Sequence, residues 1–153
     1  MDKTVKIKLD HEKARLPAYM SPGAACFDLF AASEPKYDEY GNALINTGLI
    51  FELPAGTGMR IYSRSGQGFR HNVSLVNSVG VIDSDYRGHV MVKLKADTVA
   101  GQRYLDSIQP GDSIAQAEIF KIEQYNFKVS HTLSYTERGD KGFGSTDITG
   151  GVK

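Results

Sequence analysis

The chain has 153 residues, enough for one domain with a substantial core. Its 18 basic and 18 acidic residues balance to a formal net charge of zero, which argues against broad, nonspecific nucleic-acid binding, since that needs excess positive charge on one face. The single cysteine, Cys26, excludes an internal disulfide. Because there is no apolar signal region and no apolar run of membrane-spanning length, we expect a soluble, cytoplasmic protein, in the host cytoplasm if it is viral.

Short strands dominate the predicted structure. In chain order they are Val5–Leu9, Leu44–Leu53, Thr57–Tyr62, Val73–Val76, Val79–Ile82, Val90–Leu94, Ser113–Ile122 and Phe127–Val129. One short helix is predicted from about Gln67 to His71, opened by Ser65 and Gly66. Turn-forming glycine and proline residues separate the strands, which favours an all-β barrel, sandwich or jelly roll.

The segment 77–88 carries the most informative pattern. The apolar run 79–82, the turn formers that follow it and the alternation after His89 predict a β-hairpin with an acidic, aromatic tip. Asp83 directly follows apolar residues, and a carboxylate at such a strand end can orient a water and accept its proton. Two other interpretations stay open: a solvated acidic turn, or Asp83 and Asp85 as Mg²⁺ ligands.

Two further segments contain groups typical of phosphate binding. Arg64-Ser65-Gly66 opens the helix, where unpaired backbone N–H groups attract anions. The alternative is an N-cap at Ser65 beside a surface arginine. The composition of the glycine-rich stretch 138–153 favours a frayed tail. Phe143 between glycines, with Arg138 and hydroxyls nearby, is typical instead of an arm that orders over a nucleotide, and both interpretations stay open.

Two polar side chains interrupt apolar segments. If Asp28 is buried it needs a partner, and Arg64 would serve, which favours structural support over catalysis. Gln116 either faces outward or presents its amide to a ligand. The four histidines show no metal-ligand spacing, so we expect no zinc site.

Five segments, in this order along the chain, resemble the five motifs of the trimeric dUTP pyrophosphatase (dUTPase) family: 24–29, 64–66, 77–88, 111–116 and 138–146. The resemblance runs from about residue 21 to 146, nearly the whole chain. It implies an all-β, distorted jelly-roll-like β-barrel over residues 1–137, with one short helix. It also implies a homotrimer with shared active sites, in which residues 138–153 form a flexible C-terminal arm that closes over a neighbouring active site.

The activity implied by the resemblance is hydrolysis of dUTP to dUMP and pyrophosphate, which keeps uracil out of DNA and supplies dUMP for thymidylate synthesis. Asp83 matches the family's water-activating carboxylate, and Asp28 and Asp85 match residues that fix arginines. Mg²⁺ is the implied cofactor, held by substrate phosphates and waters without protein ligands. The substrate-binding matches are Asn77, Gly80 and Val81 for uracil, Tyr86 for deoxyribose, Arg64, Ser65, Gly66 and Gln116 for phosphates, and, from the arm, Arg138, Gly144, Ser145 and Thr146 for phosphates and Phe143 for uracil.

Four residues depart from the family pattern: Cys26 and Lys141 replace glycine, Ser63 replaces proline, and Asp147 follows Thr146 where glycine is usual. They bear on arm closure and substrate affinity more than on the chemistry. Two alternatives are kept: a dCTP deaminase-related enzyme, whose deaminating glutamate has no clear counterpart here, and a non-catalytic, nucleotide-gated protein that regulates a protein partner. No nucleic-acid or membrane partner is expected.

Overall fold

The computed structural model describes residues 3–143 of the chain. The chain divides into two compact units, residues 1–123 and 124–153. The first unit contains, in chain order, β1 (Lys6–Leu9), β2 (Phe27–Phe30), β3 (Lys36–Tyr37), β4 (Ala43–Glu52), β5 (Thr57–Tyr62), α1 (Ser65–His71), β6 (Val73–Leu75), β7 (Val79–Ile82), β8 (His89–Ala96), α2 (Val99–Asp106) and β9 (Ser113–Lys121). In the second unit, residues 124–143 form no helix or strand. The start of an arm at residue 138 remains a prediction.

The strands form two antiparallel sheets. One has the order β1-β4-β8-β6, with β3 added to β4, and the other has the order β2-β9-β5-β7. One hydrophobic cluster takes side chains from both sheets, including Ile45 and Val92 from the first and Leu29 and Met59 from the second. Burial of each such side chain contributes about 1.5–3 kcal/mol. The predicted all-β architecture is therefore confirmed.

An irregular stretch in the middle of β4 requires a glycine. The register of β4 on β8 shifts there, and Gly48 lies within the shift with a φ of +67°. A Cβ at this position would lie 2.7 Å from the Cβ of His11. The hydroxyl of the neighbouring Thr47 donates to the carbonyl oxygen of Val90 (2.7 Å) and holds the stretch against β8. Only glycine occupies such a position without strain.

The predicted hairpin around residues 83–88 is wrong. β7 pairs with β5 in one sheet, whereas β8 pairs with β4 and β6 in the other. Residues 83–88 therefore connect one sheet to the other. Alternating apolar residues specify which side chains face the core, but they do not specify the neighbouring strand, so the sequence pattern is compatible with either pairing.

The sequence predicts one helix, but the described residues contain two. α1 lies where it is expected. α2 begins after Thr98, whose hydroxyl accepts a hydrogen bond from the backbone N–H of Gly101 (3.0 Å). With eight residues, α2 is too short to be stable without packing, and its sequence signal is correspondingly weak.

Three further differences concern strands. The strand predicted over Phe127–Val129 is wrong, because these residues are exposed and outside any strand. β2 was not predicted as a strand because its four residues are all buried and show no alternation. β3 has only two residues, too few for a pattern.

The two helices touch closely. Gly101 of α2 approaches α1 so nearly that a Cβ on it would lie 2.4 Å from the carbonyl oxygen of His71. The rings of His71 and Tyr104 stack, with centroids 4.2 Å apart and planes 8° from parallel. α2 is thus fixed against α1, and Tyr104 is held beside the C-terminal end of α1.

Candidate active site

A polar cavity of about 340 Å³ lies where β2, β9, α1 and α2 meet. Most of its lining side chains are charged or can donate hydrogen bonds. Its lining residues are Asp28, Arg64, Ser65, Gly66, Gln67, Arg70, His71, Tyr104 and Gln116. Five of these, Asp28, Arg64, Ser65, Gly66 and Gln116, are among the residues that the sequence predicts for the site.

Strand register brings two of the predicted residues together. Asp28 of β2 is the cross-strand partner of Gln116 of β9, and Gln116 is in turn the partner of Tyr62 of β5. The amide nitrogen of Gln116 donates to the carbonyl oxygen of Ser63 (2.9 Å). Gln116 therefore fixes the backbone immediately before Arg64, and its amide oxygen and second N–H are not used in this bond.

Arg64 is the partner of Asp28, as predicted. Its Nη2 lies 3.0 Å from Oδ2 of Asp28, an ion pair whose angles are not those of a regular hydrogen bond. The Nη1 of Arg64 donates a long hydrogen bond to the carbonyl oxygen of Ser113 (3.4 Å). The Asp28 side chain is buried, whereas that of Arg64 is 35% exposed. The buried carboxylate thus orients a guanidinium that keeps further N–H groups for a ligand.

The start of α1 differs from one prediction. The N-cap residue is Arg64, and no side chain caps the helix, so the alternative that Ser65 serves as N-cap is wrong. Ser65 is exposed at the cavity, and its hydroxyl is not used as a cap. Ser63, which replaces a usual proline, has a structural role: its hydroxyl accepts a hydrogen bond from the backbone N–H of Leu75 (2.9 Å) and so ties the segment before α1 to β6.

Sequence reasoning missed the wall of the cavity formed by Gln67, Arg70, His71 and Tyr104. Gln67 and His71 are four residues apart, so their common face could have been read from the predicted helix. Gln67 is 2% exposed, and its side-chain nitrogen donates both to the hydroxyl of Tyr104 and to the carbonyl oxygen of Ser113, each at 3.2 Å. Tyr104 could not have been found, because α2 was not predicted.

The segment 77–88 lies outside this cavity in the single chain. Asn77, Val81, Asp83, Asp85 and Tyr86 are all exposed. Among the described residues Asp85 forms no ion pair with an arginine, so its expected supporting role has no partner within one chain.

Hydrogen bonds within the segment give it a defined shape. The backbone N–H of Tyr86 donates to the carbonyl oxygen of Asp83 (3.2 Å), and the Tyr86 hydroxyl donates to the carbonyl oxygen of His89 (3.2 Å). Gly80 is buried, and a Cβ there would lie 3.2 Å from the Cβ of Ile61. The segment is therefore anchored to β5 at one end and presents its acidic and aromatic side chains to the surroundings.

Two of the predicted site residues lie in the described part of the second unit, residues 124–143. Arg138 and Phe143 are exposed, and the Nε of Arg138 donates to the carbonyl oxygen of Lys141 (3.1 Å). Of the other predicted arm residues and departures, Gly144, Ser145, Thr146 and Asp147 lie outside the described residues.

Cys26, which stands where the family pattern has glycine, is half-buried. Burial raises the pKa of its thiol, and the nearby charges of Glu118 and Asp28 raise it further.

Within residues 3–143, no group of three His, Cys, Asp or Glu side chains could hold a metal ion. The cavity has two arginines against one carboxylate, and that carboxylate is paired with Arg64. Such a balance suits an anionic ligand better than a metal cation. Neither of the two described helices is long and apolar enough to span a membrane.

The two antiparallel sheets and the donor-lined cavity define the class as an all-β protein with a candidate anion site. A family model described as dUTPase matches residues 12–147, and the chain belongs to the dUTPase family.

Two relatives align with this chain over most of their own length. The deoxyuridine 5'-triphosphate nucleotidohydrolase of Helicobacter hepaticus is 37% identical over 94% of this chain and 89% of its own. The protein of the same name from Wolinella succinogenes is 38% identical over 94% of this chain and 95% of its own.

Solved structures give the same fold. The dUTPase of Staphylococcus bacteriophage 80alpha, solved with dUpNHpp, is 26% identical, has a TM-score of 0.79, and covers 96% of this chain and 100% of its own. The dUTPase of phage phi11 of S. aureus, in which a structural Mg(II) ion is coordinated, is 23% identical with a TM-score of 0.70 over 87% of this chain and 100% of its own, a likeness of fold. The expected jelly-roll-like β fold is thereby confirmed.

Proposed function

We propose that this chain hydrolyses dUTP to dUMP and pyrophosphate, which keeps uracil out of DNA and supplies dUMP for thymidylate synthesis. The observation that carries the proposal is the cavity around Arg64, which combines cationic and neutral donors in a chain of the dUTPase family. Relatives named as dUTP nucleotidohydrolases align with 94% of its length. A polyphosphate is the ligand that such a donor set binds best.

In the proposed mechanism, Asp83 orients a water and accepts its proton as the water attacks the α-phosphorus. An aspartate is a weak base in water, so most of the rate acceleration comes from positioning and from stabilisation of phosphate charge. Arg64, Ser65 and the amide of Gln116 bind phosphate oxygens. Asp28 keeps Arg64 in place, which is supported by the 3.0 Å ion pair.

Recognition of the nucleoside is assigned to the segment 77–88. Its backbone at Gly80 and Val81, together with Asn77, reads uracil, and the ring of Tyr86 packs against deoxyribose and leaves no room for a 2′-hydroxyl. The exposure of Tyr86 and Asp83 in the single chain leaves both side chains available to a ligand.

Mg²⁺ fits this site as an ion carried by the substrate. It would bind phosphate oxygens and waters, because the residues from 3 to 143 offer no cluster of protein ligands and the cavity carboxylate is engaged by Arg64. When bound, it neutralises part of the charge on the triphosphate.

We further propose a homotrimer whose sites are shared between subunits. In a single chain, the cavity and the segment 77–88 do not line one common pocket. The arm residues Arg138, Phe143, Gly144, Ser145 and Thr146 would come from a neighbouring copy, with Phe143 over uracil and the others at the phosphates.

The stretch before the arm supports assembly. Tyr125, Phe127 and Val129 alternate at every second position, and Leu133 and Tyr135 follow; all five side chains are at least 70% exposed. Large apolar side chains in such a row favour contact with another protein surface. We propose that the partner is a second copy of the chain. Such a contact would bury the row of apolar side chains and would also place the arm of one copy at the active site of another.

The deciding experiment measures pyrophosphate release from dUTP, UTP, dCTP and dTTP, with and without Mg²⁺. We expect rapid, Mg²⁺-dependent release from dUTP alone. Comparable rates on UTP would refute the role given to Tyr86. Ammonia release from dCTP would identify the deaminase alternative, and nucleotide binding without pyrophosphate release would identify the non-catalytic one.

A further inference from the structure

One wall of the cavity contains a hydroxyl group that the family resemblance does not account for. Tyr104, on α2, is half-buried and lines the cavity together with Gln67, Arg70 and His71 of α1. α2 is the element that the sequence did not predict, and the proposed mechanism uses none of these four side chains.

The hydrogen-bond direction between Gln67 and Tyr104 can be deduced. The Gln67 side chain faces the carbonyl oxygen of Ser113 at 3.2 Å, and a carbonyl oxygen only accepts hydrogen bonds. The amide must therefore present its nitrogen there. The same nitrogen lies 3.2 Å from the Tyr104 hydroxyl, so its second N–H donates to the phenol oxygen.

This direction leaves the hydroxyl hydrogen of Tyr104 free for another acceptor. A phenol has one hydrogen to donate, and the bond from Gln67 does not use it. Within residues 3–143, the side-chain hydroxyl of Tyr104 has no second hydrogen-bond partner. Because Tyr104 lines the cavity, an acceptor bound in the cavity can receive that hydrogen.

The phenol is also rigidly held. Its ring stacks on His71 with centroids 4.2 Å apart, and Gly101 brings α2 into close contact with the carbonyl oxygen of His71. The buried amide of Gln67 fixes the oxygen position. A donor that is already oriented loses little conformational entropy when a ligand binds.

We propose that Tyr104 donates a hydrogen bond to a phosphate oxygen of the bound nucleotide, with Gln67 as the residue that positions it. This rests on the proposed function, because the ligand is taken to be the triphosphate of dUTP. α2 thereby adds one more donor to the proposed phosphate-binding residues Arg64, Ser65 and Gln116, which line the same cavity.

The test is Tyr104→Phe, which removes the hydroxyl and keeps the ring on His71. Two competitive inhibitors of dUTP hydrolysis are compared: inorganic triphosphate and deoxyuridine. A hydrogen bond to a charged oxygen accounts for about 10-fold in affinity or more, so inhibition by triphosphate should weaken on the order of 10-fold in the variant. Inhibition by deoxyuridine, which has no phosphate, should stay unchanged.

The matched control is Tyr37→Phe. The Tyr37 hydroxyl donates to Oδ1 of Asp106 (2.6 Å) and so also holds α2, but Tyr37 does not line the cavity. This control should leave both inhibition constants unchanged. Tyr104→Phe takes away one of the two acceptors of the buried Gln67 amide. The double variant Gln67→Leu/Tyr104→Phe removes that amide as well, and it should show the same selective loss for triphosphate.

An unchanged triphosphate constant in Tyr104→Phe, or equal weakening for both inhibitors, would overturn the proposal. Equal losses in Tyr37→Phe and Tyr104→Phe would do the same, since they would assign the hydroxyl a structural role. If the unaltered protein fails to hydrolyse dUTP, the proposed function itself is wrong. Normal hydrolysis of dUTP with an unaltered triphosphate constant in the variant refutes only the role of Tyr104.

Discussion

Arg64 and Asp28 form an asymmetric ion pair: their nearest side-chain atoms are 3.0 Å apart, with the carboxylate 8% exposed and the guanidine side chain 35% exposed. The Asp28 carboxylate is therefore buried against the protein, whereas the Arg64 side chain is partly exposed in the cavity. A neutral residue in place of Asp28 would leave the charge of Arg64 without its partner, so substitution at this position should affect both stability and ligand binding.

Asp28→Asn tests this pair. We expect KM for dUTP to rise with a smaller change in kcat. Without its charged partner Arg64 is positioned less precisely, which weakens its contact with the substrate in the ground state and in the transition state alike. Stability should fall by about 1–2 kcal/mol, between the small effect of an exposed ion pair and the larger effect of a fully buried one. Steady-state kinetics and urea unfolding measure the two effects.

Asp97→Asn is the matched control for that experiment. Asp97 is an exposed surface aspartate whose contact with Lys95, at 3.4 Å, is solvent-exposed on both sides, so its loss should change neither KM nor stability. If Asp28→Asn behaves like this control, Arg64 is positioned by other contacts.

Asp83→Asn should separate binding from chemistry. The amide is similar in shape but accepts a proton poorly, so turnover should fall on the order of 10²-fold or more while affinity for a non-hydrolysable dUTP analogue is retained. Calorimetric titration and pyrophosphate release give the two quantities. Near-normal turnover in Asp83→Asn would remove this residue from the role of base.

Some of this architecture follows directly from the sequence. The bounds of β5 were predicted correctly because Met59 and Ile61 alternate with outward-facing residues between two turn signals. The Arg64–Asp28 pair was predicted because an acid in an apolar segment needs a cation. Both inferences depend on local pattern and on the cost of burying charge.

Other features depend on contacts that a sequence pattern does not encode. β7 and β8 have the alternation expected of a hairpin, yet each pairs in a different sheet. Tyr104 reaches the cavity only because α2 docks on α1 through Gly101, a residue that by itself weakens a helix. The pairing of strands and the docking of helices are determined by tertiary contacts, for which the local sequence pattern carries no signal.

Two truncations test the arm and the apolar row before it. Deletion of residues 138–153 should abolish dUTP turnover but keep the trimer, because the row from Tyr125 to Tyr135 remains. Deletion of 124–153 removes the row as well and should also weaken assembly. Light scattering after size exclusion gives the oligomeric state of each.

The two deletions control each other. If the shorter deletion still hydrolyses dUTP at the normal rate, the arm is only a tail. A stable trimer of residues 1–123 would show that the apolar row is not needed for assembly.

The turn before β4 predicts a specific acid sensitivity. The carboxylate of Asp38 accepts hydrogen bonds from the Nζ of Lys93 (2.6 Å), the side chain of Asn42 (3.0 Å), and the backbone N–H groups of Tyr40 and Asn42 (2.9 Å each). These contacts, that with Lys93 above all, hold the pKa of Asp38 well below its ordinary value of 3.8. A carboxyl whose pKa is lower in the folded state stabilises the protein fully above its unfolded pKa, and this contribution is lost as the pH falls through the folded pKa.

We therefore expect the unaltered protein to lose more stability than Asp38→Asn when the pH is lowered from about 5 to about 3. Urea midpoints measured at steps across this range give the two slopes. Asp97→Asn again serves as control and should keep the slope of the unaltered protein, since its exposed contact with Lys95 is weak. Parallel curves for Asp38→Asn and the unaltered protein would mean that the bonds around Asp38 do not couple its protonation to folding.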